Sequence, residues 1–403
     1  MVCMPRVLPR TYDSAIASHL AADRQMVFVS GPRQVGKTTT CRVHGTHYLD
    51  WDNEDHRSVV LAGPAAVADH VGLERLRAER PVVVFDEIHK HGRWKSFLKG
   101  LFDTYADRMR IVVTGSSRLD VYRRGGDSLV GRYFLYRMHP FTVAELRSPP
   151  GSPELVREPG RIRNAAFTAL RDHGGYPEPH LKRDTRFTNR WRRTRQQLLL
   201  REDVRDLTRV QELGQIQALG TLLASRSAGQ VIYSNLAREV KVSVDTMRRW
   251  VDVLCGLHWG FLVRPWHRNV EKALRKEPKW FLRDWSGIRD PGARAETFVA
   301  CHLLKAVEWW TDTGLGAFEL RYVRDKQKRE VDFLVVRDDE PWFLVEAKAG
   351  AGSLSPALPY FQEQTGAPHA FQVALDLPYV DADCFAHEEP VIVPARTFLS
   401  QLV

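Results

Sequence analysis

Apolar runs of three to five residues, each bounded by polar or glycine positions, recur through the first third of the chain. Met26–Val29, Pro81–Phe85 and Ile111–Val113 are the clearest. Helical periodicity fills the intervals between them, as expected of buried strands in a parallel α/β sheet. Ser148–Gly160 (SPPGSPELVREPG) is rich in Pro, Gly and Ser and reads as a loop or linker. From Leu213 to about Trp285 the pattern is mostly helical, with short strands after Trp259. Two short helices are predicted there, around Val231–Val240 and Val244–Leu254. One apolar stripe is Leu236, Ala237 and Val240; the other is Val244, Met247, Val251 and Leu254. Ser234 and Ser243 are placed to cap them. Two helices on a tight turn followed by strands suggest a winged helix-turn-helix, whose Arg248 and Arg249 could meet phosphates. The same shape serves equally as a protein-interaction module, an oligomerisation module or a lid. Farther on, Glu296–Trp310 reads as a helix, and Phe318–Val323, Val331–Val336, Trp342–Ala347 and Ala370–Leu375 read as strands.

Composition adds two constraints. With 43% hydrophobic and 10% aromatic residues over 403 positions, the chain has the material for a packed core and is too long for one ordinary domain. The pattern divides it into residues 1–147, 148–210, 211–288 and 289–403. The formal charge is +10 and unevenly spread. His180–Arg209 carries ten Lys/Arg against four Asp/Glu, whereas the segment after Gly350 has six acids and one base, Arg396. Such a basic stretch fits DNA or RNA, or else a solvated helical face. Five cysteines without a C-x-x-C pair argue against both a disulfide framework and a thiolate zinc site. No run reaches the ~18–20 apolar residues of a membrane span, and the first residues lack the apolar core of a secretory signal. The expectation is a soluble cytoplasmic protein with no membrane partner.

Chemistry enters at Gly31-Pro32-Arg33-Gln34-Val35-Gly36-Lys37-Thr38, followed by Thr39. This is G-x-x-x-x-G-K-[ST] between a predicted strand and a predicted helix, the setting a phosphate-binding loop requires. Glycines let main-chain N–H groups turn inward around a phosphate, and the helix adds the positive end of its dipole. Lys37 can reach the outer phosphates and Thr38 can ligate Mg²⁺. The strand Pro81–Phe85 ends in Asp86-Glu87, at the sheet edge where ligands bind. Asp86 is expected to hold Mg²⁺ and Glu87 to polarise the attacking water. Ile111–Thr114 runs into Gly115-Ser116-Ser117, where a polar group could sense the terminal phosphate or simply form a turn. Arg132 could contact nucleotide on its own chain or on a neighbour, or form a structural ion pair.

On GPRQVGKTT, VVVFDEIHK, TGSSRLD and the Gly131–Leu146 stretch, the chain resembles the AAA-type P-loop ATPases (AAA_14) that bacteria and archaea join to a DUF4143 region. HGGYPEP and LREDVRDL extend the resemblance through the middle of the chain. It implies ATP with Mg²⁺, nucleotide roles for Lys37, Thr38, Asp86 and Glu87, and a sensor at Ser116; the arginine finger is less well marked, with Arg132 the candidate. It also implies a C-terminal region of restriction-endonuclease-like, PD-(D/E)xK type.

The residues there fill the four positions of that pattern, with two departures. Glu330-Val-Asp332-Phe-Leu-Val and Trp342-Phe-Leu-Val-Glu346-Ala-Lys348 read as a hairpin. Alternation puts Glu346 and Lys348 on one face, with Asp332 opposite and Glu296 near the start of the preceding helix. Three carboxylates and a lysine could bind divalent metal, with Lys348 stabilising a developing anion. Val331 stands where the motif has proline, and no second lysine follows. Two functions are compatible with this sequence: an ATPase coupled to a nuclease-like domain acting on nucleic acid, and an ATP-driven switch or scaffold with a silent recognition domain. A homo-oligomer or a protein partner suits the second. A small-molecule kinase is a third, less favoured by Asp86-Glu87.

Overall fold

The computed structural model describes residues 8–115, 129–148, 154–200, 204, 213–267 and 277–403. They form two compact units, one of residues through His139 and the other of Pro140–Ser148 with Glu154–Val403.

In the first unit five parallel strands lie in the order β2-β3-β4-β1-β5. They are β1 (Met26–Ser30), β2 (His47–Asp50), β3 (Val82–Asp86), β4 (Arg110–Thr114) and β5 (Tyr133–Arg137). Helices α1 (Thr11–Ala22), α2 (Lys37–His44), α3 (Glu54–Leu61), α4 (Pro64–Val71) and α5 (Trp94–Tyr105) connect and cover them. Alternate strand residues point to one core: Met26, Phe28, Val83, Phe85, Ile111 and Val113 pack with Trp94, Leu98 and Leu101. The three strands expected from their apolar runs are the inner ones. β2 and β5 carry His, Tyr and Arg because they are the sheet's edges, each with a half-open face, so neither announces itself as an apolar run.

The second unit opens with short helices: α6 (Val143–Arg147), α7 (Asn164–His173), α8 (Pro177–Lys182), α9 (Thr185–Leu198), α10 (Leu213–Ser225), α11 (Tyr233–Val240) and α12 (Val244–Gly256). A seven-stranded sheet follows, ordered β12-β11-β10-β9-β8-β6-β7. Its strands are β6 (Gly260–Pro265), β7 (Lys279–Leu282), β8 (Phe318–Arg324), β9 (Glu330–Arg337), β10 (Glu340–Lys348), β11 (His369–Ala374) and β12 (Val391–Pro394). α13 (Pro291–Asp312) and α14 (Ala357–Thr365) pack on this sheet, and α15 (Ala395–Phe398) ends the regular structure.

Ser243 caps α12, its Oγ accepting from Thr246 N at 3.1 Å. Ser234 does not cap α11, because that helix starts one residue earlier, on the buried ring of Tyr233, with Ile232 at the cap. β6 and β7 pair antiparallel after the two helices, as a wing would. β6 also pairs with β8, so both strands extend the C-terminal sheet rather than standing apart from it. The β9–β10 hairpin turns through Asp338 and Asp339, both left-handed (φ 49° and 69°), which suits a two-residue connection between twisted strands.

The chain at Pro140–Ser148 is tied into the second unit by buried polar groups. Lys305 Nζ meets Glu145 Oε2 at 2.8 Å, both side chains fully enclosed. Val143 N donates to His302 Nε2 at 3.1 Å, so the ring's proton is on Nδ1, which faces Phe298 O at 2.7 Å. Burial drives the His302 pKa down to about 3. The folded ring is therefore neutral, whereas the unfolded ring titrates near 6.5. Stability from this group is complete above the unfolded value and falls as pH drops below it. Denaturant unfolding of the second unit should lose on the order of 2 kcal/mol between pH 7 and pH 5, and His302→Gln should remove that part of the slope.

Candidate nucleotide site and carboxylate cluster

The loop Gly31–Gly36 leaves β1 at its carboxyl end and enters α2 at Lys37. Gly31 has φ 143°, and a Cβ there would run into the carbonyl of Met138. Gly36 has φ 104° at the helix cap, so both positions need glycine. Gly31, Pro32 and Val35 are buried, Arg33, Gln34 and Thr39 are exposed, and Gly36 and Thr38 are half-buried. Lys37 folds back over the loop, its Nζ donating to Gly31 O at 2.9 Å and Pro32 O at 2.8 Å. Burial pushes its pKa down to about 8, against the pull of Glu87 and Asp86. A cation held only by neutral carbonyls, beside the open N–H groups of a helix start, suits an incoming polyphosphate.

Thr38 Oγ1 donates to Asp86 Oδ2 at 2.8 Å. Tyr48, on β2, donates to the same oxygen at 2.6 Å. Burial raises the Asp86 pKa, and these two donors partly offset it. A hydroxyl and a carboxylate in contact are the oxygen donors that Mg²⁺ takes. Glu87, the next residue, is left-handed at φ 55° and its N–H bonds to Thr114 O at 2.9 Å, locking the tips of β3 and β4 together. Its carboxylate lies 3.5 Å from Lys90 Nζ and 3.6 Å from His89 Nε2. A non-glycine residue held there is a local strain of the kind found at functional positions.

Arg132 lies before β5, and Met26 N bonds to its carbonyl. It therefore sits at the opposite end of β1 from the loop, and its guanidinium pairs with Asp103 at 2.7 Å. That position does not reach the phosphates of its own chain. Ser116 lies outside the described residues. Sequence reasoning missed two supports. Tyr48 has no spacing signal. Arg10, 5% exposed, donates to Val35 O and His139 O, both at 2.7 Å, fastening the loop from a residue far outside the motif.

In the second unit Glu296, Asp332, Glu346 and Lys348 do converge. Lys348 Nζ meets Glu346 Oε1 at 2.7 Å, and Asp332 Oδ2 accepts from Ala347 N at 3.0 Å. The difference from expectation is Lys279 on β7. Its Nζ is 2.6 Å from Glu330, 3.1 Å from Asp332 and 3.5 Å from Glu296. Burial opposes this charge, yet Asp332, Glu296 and Glu330 hold its pKa above the usual lysine value. Burial and the charge of Asp332 push Glu296 up to about 8, and the same two causes raise Glu346. Among the described residues no group of three or more His, Cys, Asp or Glu is arranged to hold a metal ion. Acids facing an enclosed ammonium at this range do not fit a divalent cation, so Glu296, Asp332 and Glu346 are not disposed as the metal ligands the sequence suggested.

A family described as AAA domain (AAA_14) matches residues 23–147, and DUF4143, a domain of unknown function, matches residues 291–375. Both regions of the joined family that the sequence resembles are thus matched on this chain, in the same order. Between them DUF8612, another domain of unknown function, matches residues 166–289. Uncharacterized proteins of Mycobacterium bovis and Mycobacterium tuberculosis are each 25% identical over 351 residues, covering 83% of this chain and 72% of theirs. Among solved structures, the Aeropyrum pernix ORC1 protein in complex with DNA is 14% identical, covering 73% of this chain and 94% of its own, with a TM-score of 0.34. AMPPCP-bound DnaA from Aquifex aeolicus is 12% identical over 60% of this chain and 85% of its own, with a TM-score of 0.31. The AAA_14–DUF4143 chain thus carries an AAA-type ATPase domain on its parallel sheet. Among the described residues no helix is long and apolar enough to cross a membrane.

Arg10→Gln should raise the Kd for ATP about tenfold, or about 1.4 kcal/mol, while leaving turnover at saturating ATP near wild type. Calorimetric titration beside steady-state kinetics checks both halves.

Proposed function

We propose that the protein hydrolyses ATP with Mg²⁺ at the Gly31–Thr39 loop and uses the cycle to switch a C-terminal region that contacts nucleic acid. The observation that carries the ATPase half is the Thr38–Asp86 contact, which brings the loop and the acid strand together across β4. Main-chain N–H groups of the loop and of the start of α2 hold the phosphates. Lys37 exchanges its carbonyl partners for phosphate oxygens. Thr38 and Asp86 would hold Mg²⁺, which when bound neutralises phosphate charge. Glu87 orients a water and takes its proton as the water attacks the terminal phosphorus; the bond to the bridging oxygen breaks, and ADP and inorganic phosphate leave.

Release of free phosphate without any added acceptor is the expected result, and it separates hydrolysis from a small-molecule kinase. Lys37→Ala should abolish it by removing binding. Glu87→Gln should slow it at least about 100-fold, within the range for a lost general base, while calorimetry still records nucleotide heat. Calorimetric silence of the wild type toward adenine and guanine nucleotides would overturn the proposal.

The nucleic-acid half is supported by α9, which belongs to the same compact unit as the C-terminal region. Its inner face buries Thr188, Trp191 and Arg195, the last stacking on Tyr176 at 4.2 Å. On the outer face Arg186, Arg190 and Arg193 line one open groove with Asn189, Thr194 and Gln197. Among the described residues no acid pairs with these three arginines. One turn of spacing between successive charges suits a row of phosphates. For the C-terminal region itself, Lys279 favours the silent recognition domain over the metal-dependent nuclease. Replacing Arg186, Arg190 and Arg193 by Glu should weaken binding to DNA and RNA irrespective of sequence. The log–log salt slope should fall by about 3, and basal ATP turnover should stay unchanged; fluorescence anisotropy across a salt series reads this.

A further inference from the structure

We propose that Lys279 is the resident cation of the C-terminal carboxylate cluster: its ammonium fills the position a divalent ion would take and keeps the cluster closed to metal. The inference deepens the silent-domain reading and rests on it. Four acids converge here: Glu296 from α13, Glu330 and Asp332 from β9, and Glu346 from β10. Three of them lie within 3.5 Å of Lys279 Nζ. Most of the other oxygens are also engaged. Glu330 Oε2 takes Arg324 at 2.9 Å, and Asp332 Oδ2 takes Ala347 N at 3.0 Å. Glu346 divides its oxygens between Lys348 at 2.7 Å and Asp332 N at 3.4 Å. Four acids thus face three cations, Lys279, Lys348 and Arg324, and a dication entering would have to displace donors as well as an ammonium.

Lys279 has little freedom to withdraw. Its side chain is 5% exposed, and its backbone sits in β7 opposite Val263 and bridges to Gln230. Tyr322, whose hydroxyl donates to Glu277 O at 2.6 Å, lies beneath the ammonium at 5.8 Å. Mg²⁺ and Mn²⁺ need oxygen ligands at ~2.0–2.2 Å in open octahedral array. Acids spaced around a lysine head group at hydrogen-bond range provide that array only once the lysine is gone. Lys279→Met keeps the stem and deletes the charge.

The test is Mn²⁺ titration of the nucleotide-free full-length chain by electron paramagnetic resonance, on wild type, Asp332→Asn, Lys279→Met and the Lys279→Met/Asp332→Asn double variant. Wild type and Asp332→Asn should titrate alike. Lys279→Met should gain one Mn²⁺ per chain, and the double variant should lose it. Wild-type Mn²⁺ binding that Asp332→Asn weakens overturns the proposal, and so does a folded Lys279→Met that gains no ion. If Lys279→Met does not fold, the wild-type and Asp332→Asn pair decides alone. A parallel incubation of wild type and Glu346→Ala with plasmid and Mn²⁺ tests the silent-domain reading separately. Cleavage that depends on Glu346 defeats that reading, whereas Mn²⁺ uptake by wild type without cleavage defeats only the role of Lys279.

Discussion

One hydrogen bond organises the nucleotide site. β1 and β3 are not neighbours, since β4 lies between them, and the contact from Thr38 Oγ1 to Asp86 Oδ2 spans that gap at the sheet's carboxyl edge. Everything polar nearby is arranged around it. Tyr48 approaches the same oxygen from the far side, and Glu87 is turned out of the strand by its left-handed backbone. Arg10 fixes the loop from beneath through Val35. A parallel sheet leaves its strand ends open, and this chain closes them with side chains of one charge type on each strand: the cation after β1, the anions after β3.

Two of the buried lysines, Lys37 and Lys279, solve the same electrostatic problem in opposite ways. Lys37 is hydrogen-bonded by two carbonyl oxygens, with Glu87 and Asp86 acting on it only from beyond contact, and burial lowers its pKa to about 8. Its charge is poorly compensated, so an anion arriving at the loop relieves a cost already present. Lys279 is surrounded by carboxylates, which raise its pKa despite burial. Its charge is compensated, and removing it would leave Asp332 and Glu296 enclosed without a cation in contact, the costly outcome for a buried ion cluster. The first arrangement is open to a ligand; the second is complete.

Much of the first unit was legible because its chemistry is local. Gly31 to Thr38 is a contiguous stretch, and Asp86-Glu87 follows its strand directly, so periodicity and spacing were enough. The same holds for the hairpin carrying Asp332, Glu346 and Lys348, whose strands at Glu330–Arg337 and Glu340–Lys348 enclose the expected ones. The edge strands β2 and β5 were not legible, for their half-open faces break the apolar runs. Arg10 and Tyr48 act across long sequence separations through single contacts, which leave no periodic trace. The cap predicted at Ser234 failed for a packing reason: burying Tyr233 inside the first turn gains more than one hydroxyl contact at its start.

Lys279 escaped the sequence reading for a related reason. The carboxylates belong to residues 291–375 and the lysine to residues 166–289, regions that match different families. A motif read within one region sees unpaired acids and supplies a metal to balance them. The sheet joins what the motif separates: β7, the strand carrying Lys279, pairs with β6, which pairs with β8, which pairs with β9 carrying Asp332. The helix pair α11–α12 leads by chain directly into β6 and so into the sheet that carries the acid cluster, and the cation that completes the cluster comes from the edge strand of that sheet. Charge balance in this domain is a property of the whole sheet, and a four-residue pattern on two of its strands does not contain it.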